Sequence, residues 1–341
     1  MATVKFVQYG LGPIGCGIAR HVISLPGYKI VGALDIDPQK VGRDVGEVLG
    51  LGRKLNLPVS SDPSVIKRSK AQLVLHATGS RLVSVRRQLF AAINAGCSVV
   101  STCEELVYPS ARNPRLAREI DRLARRKGVA VLGVGVNPGF VMDALPLFLT
   151  SVCKQVRKIE AKRIVDASKR RLPLQRKVGA GLSVEEFYSK VRAKELGHVG
   201  LLESARMVAD GLGWKLENLS ETIEPVVAEE KVETQFLAVE KGMVAGIKQV
   251  AKGTKAGEEV LTLELQMYVG AKDPHDSVLI DGEPPVDAVI RGGIHGDSAT
   301  VAIVANSIPR VLASKPGLVT VRDLPIVAFA GNLQGRCRAN K

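Results

Sequence analysis

The sequence predicts an α/β fold class, in which an N-terminal doubly wound domain is followed by a C-terminal α+β domain with a mostly antiparallel open sheet. From Val4 to Val134, short apolar runs alternate with helical segments, the pattern of a parallel sheet covered by helices. Beyond Leu219, strand-like runs are joined by turn signals, which is typical of antiparallel pairing. A length of 341 residues suits two domains better than one.

A glycine-rich turn follows the first predicted strand. The apolar run Val4–Tyr9 leads into G-x-G-x-x-G, helical spacing follows, and Asp35 ends the second apolar run. In a Rossmann domain the first glycine makes the turn, the second admits a pyrophosphate to the backbone, and the third lets helix and strand pack closely. The helix N-terminus then faces the phosphates. The candidates for binding NAD or NADP are Gly10, Leu11, Gly12, Pro13, Ile14, Gly15 and Asp35.

The sequence leaves the choice between NAD and NADP open. Asp35 would accept hydrogen bonds from the adenosine ribose and repel a 2′-phosphate, which favours NAD. Lys40 and Arg43 follow where they could meet that phosphate, which leaves NADP possible. A strand end of small residues and the segment before the last helix supply the remaining cofactor-binding candidates, which are Ala77, Thr78, Gly79 and His295. For His76 we expect a packed position at the strand end.

Two adjacent carboxylates, Glu104 and Glu105, follow the strand predicted over 98–102. Ligands of open α/β sheets bind beyond the carboxyl ends of the strands, so this pair indicates a general acid or base. The alternative is an ordinary surface turn. Consecutive side chains point in different directions, and we favour Glu104 because it comes first after the strand. Cys103 has no visible histidine partner, so we do not expect a thiol nucleophile.

The predicted domains are a dinucleotide-binding domain over 1–140, a substrate and oligomerisation domain over 141–295, a returning helix and segment over 296–330, and a basic tail over 331–341. Asn137 and Phe140 lie at the crossover, where they could line a pocket; Phe140 could equally be core. His198 stands in a glycine-flanked turn between two helices, which fits either substrate contact or a surface position. We expect a short strand over 55–59, a basic loop over 168–181, a capping box of Ser183 and Glu186 at the start of a helix, and Asp297 as the N-cap of the last helix.

Composition narrows the classes of function. The net charge of +14 would suit nucleic acid, but only 4% of residues are aromatic and the basic residues are spread out, so we expect no nucleic-acid partner. No apolar run is long enough to span a bilayer, and no secretory signal is visible, so we expect no membrane partner. Five cysteines without C-x-x-C favour a reduced, cytoplasmic protein, and the scattered histidines favour no metal site. The open sheet predicts a homodimer or a larger oligomer.

The order of several motifs resembles that of the 2,4-diaminopentanoate dehydrogenases and the related native amine dehydrogenases, which have a dihydrodipicolinate reductase-like fold. The motifs are G-L-G-P-I-G, D-I-D-P, S-T-C-E-E-L-x-Y-P, V-N-P-G-F-x-M-D, D-A-S-x-R-R and H-G-D-x-A-T. The resemblance spans about Val4 to Pro325, and its C-E-E-L and N-P-G-F stretches are the most specific.

The resemblance implies NAD(P)-dependent oxidative deamination of an amine on a secondary carbon, or reductive amination of a ketone with ammonia. It implies that a glutamate of C-E-E-L acts on the amine, and that Phe140 and His198 line the pocket. A substrate carboxylate could pair with Arg163, Arg170 or Arg171. The alternatives are an imine or dihydrodipicolinate-type reductase, a homoserine-type dehydrogenase, and a dinucleotide-binding sensor without turnover.

Overall fold

The computed structural model describes residues 3–170 and 172–330. Arg171 and the predicted tail over 331–341 lie outside the described residues. The described chain forms two compact units. The first unit comprises the residues up to Gly139 and those from His295 onward, and the second unit is Phe140–Ile294.

The helices and strands follow one another in three segments. The first segment contains β1 (Val4–Tyr9), α1 (Pro13–Ser24), β2 (Tyr28–Leu34), α2 (Val45–Val48), α3 (Val65–Arg68), β3 (Leu73–His76), α4 (Leu82–Asn94), β4 (Ser98–Ser101), α5 (Pro114–Lys127) and β5 (Ala130–Gly133). The second contains α6 (Ala144–Leu149), β6 (Gln155–Asp166), α7 (Leu172–Lys177), α8 (Val184–Arg192), α9 (Leu201–Gly211), β7 (Asn218–Val227), β8 (Val232–Glu233), β9 (Ala238–Val239), β10 (Val244–Lys255), β11 (Glu258–Tyr268), β12 (His275–Glu283) and β13 (Val286–Arg291). The third contains α10 (Gly296–Ala313) and β14 (Gly317–Val319).

The first unit is built on a parallel sheet in the order β14-β5-β4-β3-β1-β2. Phe6 and Val7 of β1 are both fully buried, and they belong to two hydrophobic clusters. One cluster includes residues of α1 and α10, and the other includes residues of α4 and α5. The predicted doubly wound domain is confirmed. The strand order reverses between β1 and β3, so their carboxyl ends meet where ligands of such sheets bind.

The second unit is built on a mixed sheet in the order β13-β12-β6-β11-β10-β7. Neighbouring strands run antiparallel except β6 and β11, which pair in parallel from Leu261 opposite Ile159 to Tyr268 opposite Asp166. A parallel pair needs a long crossover connection, and here the connection includes α7, α8 and α9. The sheet is therefore mixed, with one parallel pair at its centre and antiparallel pairs on both sides.

Three local expectations were wrong, and one was confirmed. The short strand expected near 55–59 is reduced to isolated bridges at Pro58 and Ser60. The basic loop expected over 168–181 contains α7. The N-cap of α10 is His295 rather than Asp297, because the helix begins two residues earlier than predicted. The capping box of α8, formed by Ser183 and Glu186, is present as predicted.

Candidate active site

The glycine turn after β1 has the geometry that a dinucleotide requires. Gly10 has φ +92°, and a Cβ there would lie 2.3 Å from the Ala77 carbonyl oxygen. At Gly15 a Cβ would lie 2.0 Å from the Gly10 carbonyl oxygen, whereas at Gly12 it would meet no atom of the described residues within 4 Å. Pro13 opens α1, and no described side chain caps its N-terminus. The turn is therefore tight at both ends and open in the middle, where a phosphate could reach the helix N-terminus.

The end of β2 places an acid beside this turn. Asp35 Oδ2 accepts a hydrogen bond from the Leu11 N–H at 2.7 Å, and Oδ1 accepts one from the Asp37 N–H at 2.9 Å. The Lys40 ammonium lies 3.0 Å from Asp37 and 3.8 Å from Asp35, and its bond with Asp37 raises the pKa of Lys40. The positive charge of Lys40 is thus largely balanced by these two carboxylates.

Two residues that follow Asp35 in the chain have exposed side chains. Arg43 is exposed, and its guanidinium contacts the Gln39 carbonyl at 3.5 Å. Ile36 is 83% exposed although it is a large apolar residue. In the sequence, the only mark of Ile36 is its place directly after Asp35.

Glu104 and Glu105 have different surroundings at the end of β4. They begin a 3₁₀ turn over Glu104–Leu106, and Glu104 is half-buried. Glu105 is buried, and its Oε2 accepts hydrogen bonds from the Leu82 N–H at 2.8 Å and from the Asn113 side chain at 3.3 Å. Arg81 lies 3.5 Å from its other oxygen. The Glu105 carboxylate is thus committed to the N-terminus of α4.

Cys103, which precedes the two glutamates, is a buried thiol. Its Sγ donates to the Ser80 carbonyl at 3.2 Å. Burial, together with the charge of Glu104, raises its pKa to about 12. The thiol therefore stays protonated near neutral pH, which agrees with the expectation that Cys103 is not a nucleophile.

The remaining candidates of the first unit occupy turns. Ala77, Thr78 and Gly79 follow β3, and the Ala77 N–H donates to the Tyr9 carbonyl at 2.8 Å. Asn137 is half-buried in the turn after β5, which Gly139 closes with φ +119°. His295 Nδ1 accepts from the Ser298 N–H at 3.4 Å, so its ring caps α10. His76 is 1% exposed, as expected of a packed strand-end histidine.

Two arginines of the second unit lie buried near one another. Both oxygens of Asp276 contact Arg163 Nη1, at 2.6 and 2.7 Å, and Arg163 Nη2 donates to the Ile294 carbonyl at 2.6 Å. Burial lowers the pKa of Arg163, Asp276 opposes that shift, and the charge of Arg170 adds to it. Arg163 therefore has a structural partner for its guanidinium. Arg170 is 8% exposed at the end of the loop that leads into α7.

His198 and Phe140 are half-buried, and the backbone of each is fixed. The side chain of Gln249 accepts from the His198 N–H at 2.8 Å and donates to the His198 carbonyl at 2.9 Å. The Phe140 carbonyl accepts from the Leu145 N–H at 2.9 Å at the start of α6. Gln249 is 1% exposed. Its role could not be predicted, because a glutamine in a strand carries no sequence signal that it bonds a distant turn.

Within residues 3–170 and 172–330, no cluster of three or more His, Cys, Asp or Glu side chains could hold a metal ion. Over the same residues, no helix is long and apolar enough to cross a membrane.

Comparison with known proteins decides the family. A family model described as the 2,4-diaminopentanoate dehydrogenase C-terminal domain matches residues 140–338. A 2,4-diaminopentanoate dehydrogenase from Acetoanaerobium sticklandii is 33% identical over 342 residues, covering 96% of this chain and 94% of the relative. The chain belongs to the 2,4-diaminopentanoate dehydrogenase family. The resemblance inferred from the motifs is confirmed, and so is the prediction of a dehydrogenase that acts on amines.

Solved structures agree with this family. The amine dehydrogenase from Mycobacterium smegmatis superimposes with a TM-score of 0.85 at 26% identity, covering 96% of this chain and 98% of that one. A dihydrodipicolinate reductase from Paenisporosarcina sp. TG-14 has a TM-score of 0.51 at 14% identity, covering 93% of this chain and 97% of that one. The second likeness concerns the fold alone.

Proposed function

We propose that this chain catalyses the NAD(P)-dependent oxidative deamination of an amine on a secondary carbon, and the reverse reductive amination of a ketone. The proposed substrate is 2,4-diaminopentanoate, which would give 2-amino-4-oxopentanoate and ammonia. The observation that carries the proposal is the position of Glu104, which is half-buried directly after β4, at the edge of the sheet where ligands bind. The neighbouring carboxylate of Glu105 is buried and bonds the first residue of α4.

In this proposal Glu104 moves the protons. Its carboxylate takes a proton from the substrate ammonium, which leaves a neutral amine on the carbon that carries the hydrogen to be removed. The bound dinucleotide supplies the acceptor for that hydrogen as hydride. After the first proton has passed to solvent, Glu104 takes a second from the water that adds to the iminium carbon. It returns this proton to the nitrogen of the carbinolamine. As the C–N bond breaks and ammonia leaves, the regenerated carboxylate takes the hydroxyl proton, and the ketone remains.

The cofactor proposal rests on the first unit. The open backbone at Gly12 fits a pyrophosphate, and Asp35 beside Leu11 fits a ribose hydroxyl. Ile36 offers an apolar surface to the adenine. Arg43 is the cation proposed for a 2′-phosphate, because Lys40 is already paired with acids. NAD and NADP are therefore both proposed as cofactors, with Arg43 as the residue that sets the relative affinity for NADP.

The substrate proposal rests on the second unit and on the turn before it. We assign the substrate carboxylate to Arg170, which is buried close enough to Arg163 for their charges to interact and which carries the planar guanidinium that recognises a carboxylate. A planar guanidinium can bind a carboxylate through two parallel hydrogen bonds. Phe140 and His198 of the second unit are proposed to contact the substrate, and so is Asn137 in the turn after β5.

We also propose that the protein is a cytoplasmic homodimer that pairs through the open sheet of the second unit. Leu279 of β12 and Val289 of β13 lie on one face, and they are 48% and 54% exposed. Glu160 lies opposite Leu279 on the neighbouring strand β6. A face that combines apolar and charged side chains suits a second copy. Sedimentation at micromolar concentration should give twice the mass of one chain; a monomer would contradict the proposed pairing.

The experiment that tests the activity is a substrate panel. Purified protein is mixed with 2,4-diaminopentanoate or simple secondary-carbon amines and with NAD or NADP, and absorbance of the reduced cofactor is followed. The expected result is cofactor reduction that needs the amine, and ammonium-dependent oxidation of the reduced cofactor with the ketone. Cofactor binding without turnover on any amine or ketone would contradict the proposal and favour a sensor. Reduction of cyclic imines alone would favour the imine reductase.

A further inference from the structure

A group of hydrogen-bonded polar side chains, two of them buried, lies between the two strand-end loops that the proposed reaction uses. We call His76, Thr78, Gln88 and Ser101 the strand-end network. His76 Nδ1 lies 2.8 Å from Ser101 Oγ, and Nε2 lies 2.8 Å from Gln88 Oε1 and 2.9 Å from Thr78 Oγ1. The imidazole is 1% exposed, and Ser101 is fully buried. The network thus joins the ends of β3 and β4, and it runs from the buried Ser101 to the exposed Thr78.

The contacts of Gln88 determine the tautomer of His76. Gln88 Oε1 can only accept, and the Thr78 hydroxyl also donates to it. The Nε2 atom of His76 therefore carries the proton, and Nδ1 accepts from the Ser101 hydroxyl. Burial lowers the pKa of His76 to about 4, so the ring remains neutral near pH 7.

Each end of the network reaches a loop with a proposed role. Ser101 Oγ accepts from the Cys103 N–H at 3.1 Å, which fixes the backbone immediately before Glu104. At the other end, Thr78 belongs to the loop proposed to bind the cofactor. The Tyr9 ring packs edge-on against His76, with 5.6 Å between ring centroids. One neutral imidazole therefore holds the turn before Glu104 and the loop of Thr78 together.

We propose that His76 is a positioning residue that couples the cofactor loop 77–79 to the turn that carries Glu104. This inference rests on the proposed function, in which the cofactor and Glu104 act on the same carbon. His76 takes no part in proton transfer to the substrate. It keeps two loops from adjacent strands in one arrangement, so that cofactor binding and the position of Glu104 depend on each other.

A purely structural role would have a different signature. Ser98 lies at the opposite end of β4, is 8% exposed, and accepts from the Ala130 N–H at 3.3 Å. Ser98→Ala is therefore a matched control for Ser101→Ala, since both remove one hydroxyl from the same strand. Both variants should lose stability, and only Ser101→Ala should alter cofactor binding and turnover.

The test is a double-mutant cycle on cofactor affinity. Dissociation constants of the reduced cofactors are measured by fluorescence for wild type, Thr78→Val, Ser101→Ala and the double variant, and again in a His76→Phe background. Because Ser101 is joined to the cofactor loop through His76, we expect Ser101→Ala to weaken cofactor binding by about fivefold, the effect of one hydrogen bond. In the His76→Phe background the same change should have no further effect. With an amine substrate, His76→Phe and Ser101→Ala should also lower kcat.

The outcomes separate this inference from the proposed function. Additive effects of Thr78→Val and Ser101→Ala on cofactor affinity, or equal effects of Ser98→Ala and Ser101→Ala, would overturn the positioning role. If His76→Phe does not fold, the cycle of Thr78→Val and Ser101→Ala in the wild-type background still tests the positioning role. Thr78 and Ser101 are separated by His76, so coupling between them is expected only if His76 links them. If wild type binds cofactor but turns over no amine, the proposed function fails while the coupling in cofactor affinity is still measured.

Discussion

At the scale of single residues, the surroundings of each carboxylate decide its role more than its identity does. Glu105 and Glu104 are neighbours with the same side chain. Three groups hold the Glu105 carboxylate against the start of α4, namely the Leu82 N–H, the Asn113 amide and the Arg81 guanidinium. A carboxylate that caps a helix N-terminus stabilises it through hydrogen bonding and through the helix dipole. Such a group is poorly placed to exchange protons with a substrate.

We therefore expect Glu104→Gln and Glu105→Gln to have opposite effects. Glu104→Gln should lower kcat by about 10²- to 10⁴-fold, the usual contribution of a general acid or base, with little change in stability. Glu105→Gln should lower the free energy of unfolding by about 1–2 kcal/mol, because charge-assisted bonds become neutral ones, and should retain most of kcat. Steady-state kinetics and urea unfolding of both variants check this. A large loss of kcat in Glu105→Gln with activity retained in Glu104→Gln would exchange the two assignments.

At the scale of elements, the turn between β1 and α1 contains two glycines with different surroundings. A Cβ at Gly15 would overlap the Gly10 carbonyl oxygen, whereas a Cβ at Gly12 would meet none of the described atoms within 4 Å. The φ of Gly12 is −67°, which any residue can adopt. Close packing therefore requires the glycine at Gly15, whereas the described residues leave room for a side chain at Gly12.

This contrast predicts different phenotypes for two alanine substitutions. Gly12→Ala should change the free energy of unfolding by less than about 0.5 kcal/mol, because the site is open and unstrained, but should weaken cofactor binding at least about tenfold. Gly15→Ala should lose about 1–3 kcal/mol of stability through overpacking. Thermal unfolding without cofactor and fluorescence titration with reduced cofactor measure the two effects. Cofactor affinity unchanged in Gly12→Ala would place the pyrophosphate elsewhere.

The turn of His198 depends on a side chain from the sheet. Gln249 bonds both backbone groups of His198, and its amide also donates to Glu221 at 2.8 Å. We expect Gln249→Leu to raise KM for the amine several-fold, because the turn loses its fixed position, and to leave the dissociation constant of the cofactor unchanged. Measuring both constants tests this. In a His198→Ala background the same substitution should add nothing to KM; an equal increase there would show that the turn acts without the histidine.

The sequence predicted those elements whose signals are local. The glycine spacing predicted the turn after β1, and the apolar alternation predicted the parallel sheet. The capping pair Ser183 and Glu186 predicted the start of α8. Hydrogen bonds between distant segments leave no such signal, so neither the Gln249 contact nor the commitment of Glu105 to α4 could be predicted. The parallel pairing of β6 with β11 was missed for the same reason, since it depends on where a long crossover returns.

At the scale of the whole molecule, the chain passes between its two units twice, and buried charge lies close to the second passage. Arg163 and Asp276 bind each other, and both also bind the backbone of Ile294, the last residue of the second unit. Removing one partner of a buried pair leaves the other charge uncompensated, which is strongly destabilising. The pair therefore stabilises the second unit chiefly by holding its last residue, Ile294. His295, the next residue, begins the return to the first unit.

Acid stability of the first unit should depend on His76. Its pKa is about 4 in the folded chain, against an ordinary value of 6.5. Between these two values the unfolded chain binds a proton that the folded chain does not, so stability is fully present above pH 6.5 and falls as the pH is lowered towards 4. The shift corresponds to about 3 kcal/mol.

The comparison of wild type with His76→Phe isolates this effect from all other titrating groups. His76→Phe should be less stable at pH 7, because it loses the buried hydrogen bonds of the strand-end network. Its disadvantage should shrink by about 3 kcal/mol as the pH falls to 4, because the variant has no buried imidazole to protonate. Urea unfolding at a series of pH values gives both curves. Parallel curves would mean that the folded protein accepts a proton at His76 as readily as the unfolded chain does, and would contradict the buried, neutral imidazole on which the strand-end network depends.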